Sequence, residues 1–318
     1  MKYMTFNSSC AYAGVANMLE CFGVDTQDRT IALVEQVNWI SASVSLAGDI
    51  GLNYYVELSE DLAANEDACV QFTFAGGTQT VPMGEAIYSK GSYRFSCAVP
   101  AKHMADPVTA QVYVGATPVG QAKTYSVKAY CDAAIPVYSQ YATYADLVTL
   151  MKAMLNYGAY SQLSLGYATD NLANAGLTEA ERLLPETVDA SAYAHSVIGS
   201  EDGIMVYSAS LLLESKTTIR FYFRLTGDKT IDRYEFLVNG VATTPTASGS
   251  LYYVDVPNVA AKDLDEMQTV TVGGMGVSYC GLSYVNQILG WSGATQNEIN
   301  NAKALYLFNQ TANAYFGS

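Results

Sequence analysis

An internal duplication constrains the fold of this chain more than any other feature, because two copies of one unit must adopt similar structures. Three blocks match in the same order, at offsets of 160, 154 and 151 residues. They are AKHMADPVTAQV (101–112) with AKDLDEMQTVTV (261–272), Tyr125 and Tyr130 with Tyr279 and Tyr284, and KAMLNYGAYSQLSLG (152–166) with KALYLFNQTANAYFG (303–317). The predicted domain boundaries are 1–40 for an N-terminal helical segment, 41–166 for copy one, 167–203 for a linker and 204–318 for copy two.

The first two thirds of each copy predict short β-strands. Runs such as GLNYYVEL and SYRFSCAV in copy one, and TTIRFYFRL and LYYVDVP in copy two, alternate or are rich in β-branched and aromatic residues. Six or seven such runs at spacings of about 8 to 12 residues are typical of an antiparallel immunoglobulin-like sandwich. The duplicated block at 101–112 and 261–272 lies between two of these strands. We expect it to cross between the sheets, with Met104 or Leu264 in the core.

The last third of each copy changes to a helical period. In YADLVTLMKAMLNYGAYSQLSL the apolar residues cover most faces of a helix, which indicates that this helix is largely buried. The preceding stretches SVKAYCDAAI and CGLSYVNQIL predict a companion helix. The predicted fold class is therefore α+β, with two tandem antiparallel immunoglobulin-like β-sandwiches, each followed by a helical hairpin.

Composition narrows the possible partners. The chain has 16 Lys+Arg against 30 Asp+Glu, a net charge of −14, which excludes a nucleic-acid partner held through phosphate contacts and an anionic membrane surface. Half of the residues are hydrophobic, as expected for a folded protein, but no run is long enough to insert into a membrane. The opening MKYMTFNSSCAYAGVANMLE is a poor export signal because polar residues interrupt its apolar stretch.

The cysteines do not predict a metal site, since the six of them form no CxxC pair. No metal and no other cofactor is predicted. Cys69 and Cys97 lie in two strand-like runs that can be neighbours, so a disulfide is one alternative. Buried thiols are the favoured interpretation.

Cys10 is the one position that suggests covalent chemistry. Ser8 or Ser9 is a candidate N-cap for an amphipathic helix that ends before Gly23. Cys10 then lies in the first turn, where the helix dipole stabilises a thiolate. It is the weak candidate for a catalytic nucleophile.

The block FNSSCAYAGVANMLECFGVDTQDRTIAL resembles the opening of the papain-like C39-type peptidases and related acyltransferase-like domains. This resemblance implies a cysteine hydrolase or acyltransferase with Cys10 as nucleophile. Such enzymes have a Gln or Asn just before the Cys and a His downstream, but Met4 stands six positions before Cys10. Of the two histidines, His103 aligns with Asp263 of copy two and is expected to be exposed, while His195 lies in the predicted linker. We therefore predict that the protein is not an enzyme.

The repeat itself resembles an uncharacterised module of secreted or cell-wall-attached proteins of gut Firmicutes. The resemblance covers 42–318 and rests on motifs such as GDIGLNYYVELSEDLAANEDACVQFTF, AVPAKHMADPVTAQVYV and YYVDVPNVAAKDLDEMQTVTVGG. It implies an extracellular or cell-surface location and a non-catalytic structural or adhesive role. The implied partners are glycans or host surface proteins.

Carbohydrate binding is an alternative function. Aromatic rings stack on sugars, and the weak candidates for such contacts are Tyr54, Tyr222, Tyr252 and Trp291. Strand tyrosines also pack against cross-strand neighbours. Adjacent pairs such as Tyr54 and Tyr55 point to opposite faces of a sheet, so only one ring of each pair can be exposed.

Overall fold

The computed structural model of the protein describes residues 36–46, 48–213 and 217–317. These residues form one compact unit with four antiparallel sheets and five α-helices. This confirms the predicted α+β class. The helix predicted around Cys10 lies outside the described residues. Among the described helices, none is both long and apolar enough to cross a membrane.

The first half contains two four-stranded sheets, ordered β1-β2-β6-β5 and β4-β3-β7-β8. Its strands are β1 (Val37–Ser45), β2 (Gly51–Leu58), β3 (Ala68–Phe74), β4 (Gly77–Pro82), β5 (Ile87–Ser89), β6 (Ser92–Ala98), β7 (Val108–Val114) and β8 (Thr117–Tyr125). Its helices are α1 (Glu60–Ala63), α2 (Val127–Tyr138) and α3 (Ala145–Leu165).

The second half contains sheets ordered β10-β11-β15-β14 and β13-β12-β16-β17-β9. Its strands are β9 (Ser196–Ile198), β10 (Ile204–Leu212), β11 (Thr218–Leu225), β12 (Phe236–Val238), β13 (Val241–Thr243), β14 (Thr246–Ser248), β15 (Leu251–Val256), β16 (Gln268–Val272) and β17 (Met275–Tyr279). Its helices are α4 (Gly281–Gly290) and α5 (Gln296–Gly317). Strands β1 to β8 correspond in order to β10 to β17, and the corresponding strands are arranged in the same order in their sheets. Strand β9 has no counterpart among the described residues of the first half.

Alternation of side chains explains why these strands form. In β11, Ile219, Phe221 and Phe223 are fully buried, while the residues between them face outward. The duplicated blocks contain the short 3₁₀ helices Ala101–His103 and Ala261–Asp263, each of which leads from one sheet to the other. Met104 and Leu264 follow them and are buried, as the sequence predicts.

The segment at 167–203, which the sequence predicts as a linker, packs against α3. Gln162 Oε1 accepts a hydrogen bond from the Ala173 backbone N–H at 2.8 Å. Asn156 Nδ2 donates to the Glu181 carbonyl at 2.8 Å, and Asn174 Nδ2 donates to Asn156 Oδ1 at 2.9 Å. These buried bonds tie the segment to the first half.

The long helices α3 and α5 hold the two halves together. Tyr157 of α3 stacks on Phe308 of α5, with ring centroids 5.8 Å apart and planes at 21°. Further along, Ser161 Oγ donates to Asn301 Oδ1 at 3.0 Å. The two helices are antiparallel, because the later residue of α3, Ser161, contacts the earlier residue of α5, Asn301. Since Tyr157 and Phe308 also align in the repeat, matched residues meet as they do in a symmetric dimer.

Candidate functional site

Tyr54 is a core residue and offers no ring face to a ligand. It is fully buried in β2, where its ring packs 5.4 Å from that of Phe72 and 5.9 Å from that of Trp39. Its hydroxyl donates to the Val108 carbonyl at 2.6 Å, and burial raises the pKa of Tyr54 above its ordinary value. The alternation of β2 turns Tyr55, not Tyr54, to the outer face. The expectation that Tyr54 contacts a ligand is therefore wrong.

The other three candidate residues do not form one platform. Tyr222 lies on the outer face of β11. Tyr252 pairs across the sheet with the buried Phe223, so it points to the inner side. Trp291 follows α4 and is 56% exposed, outside both sheets. Of these three, Tyr222 belongs to a larger group of aromatic and charged side chains.

That group lies on the outer face of the sheet β10-β11-β15-β14. We call it the tyrosine–arginine face, and it consists of Tyr207, Arg220, Tyr222, Arg224, Tyr253 and Asp255. Sequence reasoning missed Tyr207, both arginines and Asp255. The alternation of TTIRFYFRL was the available signal for β11, because it places Arg220, Tyr222 and Arg224 on one face.

An ion pair fixes the centre of the tyrosine–arginine face. Arg220 Nε and Nη2 donate to the two carboxylate oxygens of Asp255 at 2.6 and 2.7 Å. The guanidinium lies 3.7 Å from the centroid of the Tyr253 ring. The hydrogen bond to Asp255 holds the pKa of Arg220 above its ordinary value, so this side chain stays charged. A two-point contact of this kind gives the planar group one orientation.

Two aromatic rings lie beside this ion pair, in the next row of the sheet. The rings of Tyr222 and Tyr253 have centroids 6.1 Å apart and are tilted by 57°. At the edge of the sheet, the Arg224 guanidinium lies 4.3 Å from the Tyr207 ring centroid, and Tyr207 is 50% exposed. The face therefore presents exposed ring surface together with positioned hydrogen-bond donors and acceptors.

The equivalent face of the first half has a different chemistry. Tyr55 of β2 is equivalent to Tyr222 of β11. Each follows a buried aromatic residue, Tyr54 or Phe221, and the two strands pair with β1 and β10 in the same register. Arg94 lies opposite Tyr55 across the sheet, but uncharged residues take the positions of Arg220 and Asp255: Ser96 Oγ donates to Asn53 Oδ1 at 2.7 Å, and Asn53 Nδ2 donates to Ser43 Oγ at 3.4 Å. The paired arginine and carboxylate are thus a feature of the second half.

His103 is buried, contrary to the expectation that it is exposed. It is only 5% exposed, and its Nδ1 lies 2.7 Å from Asp106 Oδ2. The Tyr167 hydroxyl donates to the same oxygen at 2.8 Å, and its ring contacts the imidazole edge to face. Burial and the bond to Asp106 raise the pKa of Tyr167 to about 12, which keeps this donor protonated. The sequence comparison failed because Tyr167, which covers His103, lies outside the repeat.

The remaining candidate residues that the structure describes are not brought together. His195 is exposed before β9, and Cys10 lies outside the described residues. Cys69 and Cys97 belong to strands of different sheets, and no disulfide joins the described cysteines. Burial raises the pKa of the Cys131 thiol to about 12. Among the described residues, no cluster of His, Cys, Asp and Glu could hold a metal ion.

Comparison with known proteins assigns the chain to no family. No protein-family model matches the chain, and no curated protein is significantly similar to it.

Proposed function

We propose that this protein is a non-catalytic adhesive module of an extracellular bacterial surface protein, built from two tandem immunoglobulin-like sandwiches. The observation that carries the proposal is the tyrosine–arginine face, which exposes aromatic rings beside a rigidly held ion pair. Exposed aromatic surface with fixed polar groups is typical of binding sites.

The junction between the halves supports an adhesive role. Tyr157 and Phe308 are 4% and 3% exposed, and they stack in a buried interface that also contains the Ser161–Asn301 hydrogen bond. Packing of this kind resists deformation. The half that carries the tyrosine–arginine face is therefore rigidly attached to the other half, which suits an adhesive protein that must keep its partner bound under mechanical force.

Glycans are the ligand class that we propose for this face. The exposed Tyr207 ring and the half-buried Tyr222 ring suit the apolar C–H surface of a sugar, and Asp255 and the two arginines can bond to its hydroxyl groups. Because the rings of Tyr222 and Tyr253 are tilted by 57°, they do not form a flat strip. The face therefore suits individual sugar residues of a flexible glycan better than a crystalline polysaccharide.

The experiment is a glycan-array screen with the full chain, followed by titration of any ligand with matched variants. Tyr222→Ala should weaken binding at least tenfold, which corresponds to about 1.4 kcal/mol and is the effect of removing a central contact. Tyr55→Ala is the control, because it removes the equivalent tyrosine of the first half. An array without binding, or equal losses in the two variants, would refute the glycan proposal.

A further inference from the structure

A groove of about 500 Å³ opens between the edges of the two sheets in the second half. Val197 of β9 lies on one wall, and Met205 and Tyr207 of β10 lie on the other. His195, Val277 of β17 and Gln287 of α4 also line it. A volume of this size falls in the range of small-molecule sites, which is roughly 300 to 1,000 Å³.

Apolar side chains make up most of the lining of this groove, and its polar side chains are His195, Ser200, Ser208 and Gln287 together with the Tyr207 hydroxyl. Although the chain carries a net charge of −14, none of the residues that line the groove is a carboxylate, a lysine or an arginine. Val197, Met205 and Tyr207 are each about half exposed, at 51%, 45% and 50%. Apolar side chains left in water favour a ligand that covers them, and a lining without carboxylates, lysines or arginines favours a neutral ligand.

The first half shows which group fills the corresponding space. Its strand β1 has the same register and the same bulge as β10, so that Trp39 has the position of Val206. The Trp39 indole packs edge to face on Tyr54, and its Nε1–H donates to the Gln121 carbonyl of β8 at 2.8 Å. The indole thus closes the gap between the two sheet edges. In the second half Val206 lines the groove and is too short to do so.

We propose that the groove of the second half binds a small, neutral aromatic ligand of the indole type, in the place that Trp39 occupies in the first half. Such a ring matches the apolar walls, and its N–H needs one acceptor. Gln287 supplies one, because its Oε1 accepts a single bond from Tyr279 at 2.8 Å and a carboxamide oxygen can accept two. This proposal does not depend on the glycan proposal.

Titration of the full chain with 5-fluoroindole, followed by fluorine NMR, tests the proposal. Wild type should bind one equivalent, with a Kd on the order of 1 mM or below for a ligand of this size. Val206→Trp places an indole where Trp39 stands and should abolish binding. Tyr222→Ala should leave the affinity unchanged, because the groove shares Tyr207 but not Tyr222 with the tyrosine–arginine face.

Methyl NMR of the methionines locates the ligand without any substitution. The methyl groups of Met205 and Met275 line the groove and should shift on titration, whereas the buried Met104 and Met151 should not. The proposal is overturned if the ligand fails to saturate, if Val206→Trp binds as well as wild type, or if the shifts appear at methionines away from the groove.

Discussion

Shortening the two stacked rings between the long helices should reveal that they stabilise each other. Tyr157→Leu and Phe308→Leu each remove three ring carbons from a site that is 4% or 3% exposed. At roughly 0.8 kcal/mol per buried carbon, each variant should lose about 2 kcal/mol of unfolding free energy from reduced burial, in addition to the energy of the lost ring stacking. A stacked aromatic pair contributes about 0.5 to 1.5 kcal/mol beyond burial. The double variant should therefore lose less than the sum of the single losses, by that amount.

The assay is urea denaturation of the full chain followed by circular dichroism, arranged as a double-mutant cycle. Phe236→Leu combined with Tyr157→Leu is the matched control. Phe236 is 1% exposed but packs against Phe223, 5.1 Å away, within the second half. This pair should be additive within about 0.5 kcal/mol. Equal coupling in both cycles, or none between Tyr157 and Phe308, would show that the aligned aromatics do not join the halves.

Three further variants test local features of the structure. The Lys152 hydrogen bond holds the pKa of Glu181 at about 2. The stabilisation that ionised Glu181 contributes is therefore complete above its ordinary pKa of 4.5 and is lost as the pH falls towards 2. Urea midpoints of Glu181→Gln should depend less on pH between these two values than those of the wild type. Gly158→Ala places a Cβ 3.2 Å from the Ala101 backbone oxygen, so this variant should lose about 1 to 3 kcal/mol of unfolding free energy in the same assay. Gly84→Ala is the control and should lose much less, because nothing lies within 4 Å of its added Cβ. Tyr54→Phe removes a buried hydroxyl bond of 2.6 Å and should lower the unfolding free energy by about 0.5 to 1.5 kcal/mol; an unchanged midpoint would contradict that bond.

Local periodicity accounts for what could be predicted about the candidate face. The alternation in β11 is enough to separate the buried Phe221 and Phe223 from Arg220 and Tyr222, because successive side chains of a strand point to opposite faces. The partner of Arg220 could not be predicted in this way. Asp255 lies 35 residues further on, and only the strand register brings it opposite.

The groove was beyond sequence reasoning for a similar reason. The blocks that align in the repeat do not include β1 and β10, so nothing in the sequence paired Trp39 with Val206. Their equivalence follows from two strand registers with the same bulge. The space beside Val206 is also bounded by β9, which belongs to the segment predicted as a linker.

The amino-acid sequence by itself determined that this chain is an α+β protein, that part of it is duplicated, and that Met104 and Leu264 enter the core. These properties depend on spacing along the chain, which a pattern of residue types records. Only the tertiary structure decided that Tyr157 stacks on Phe308, that His103 is buried and that a groove remains beside Val206. Each of these depends on which distant side chains meet, and such contacts are set by packing and register rather than by neighbours in sequence.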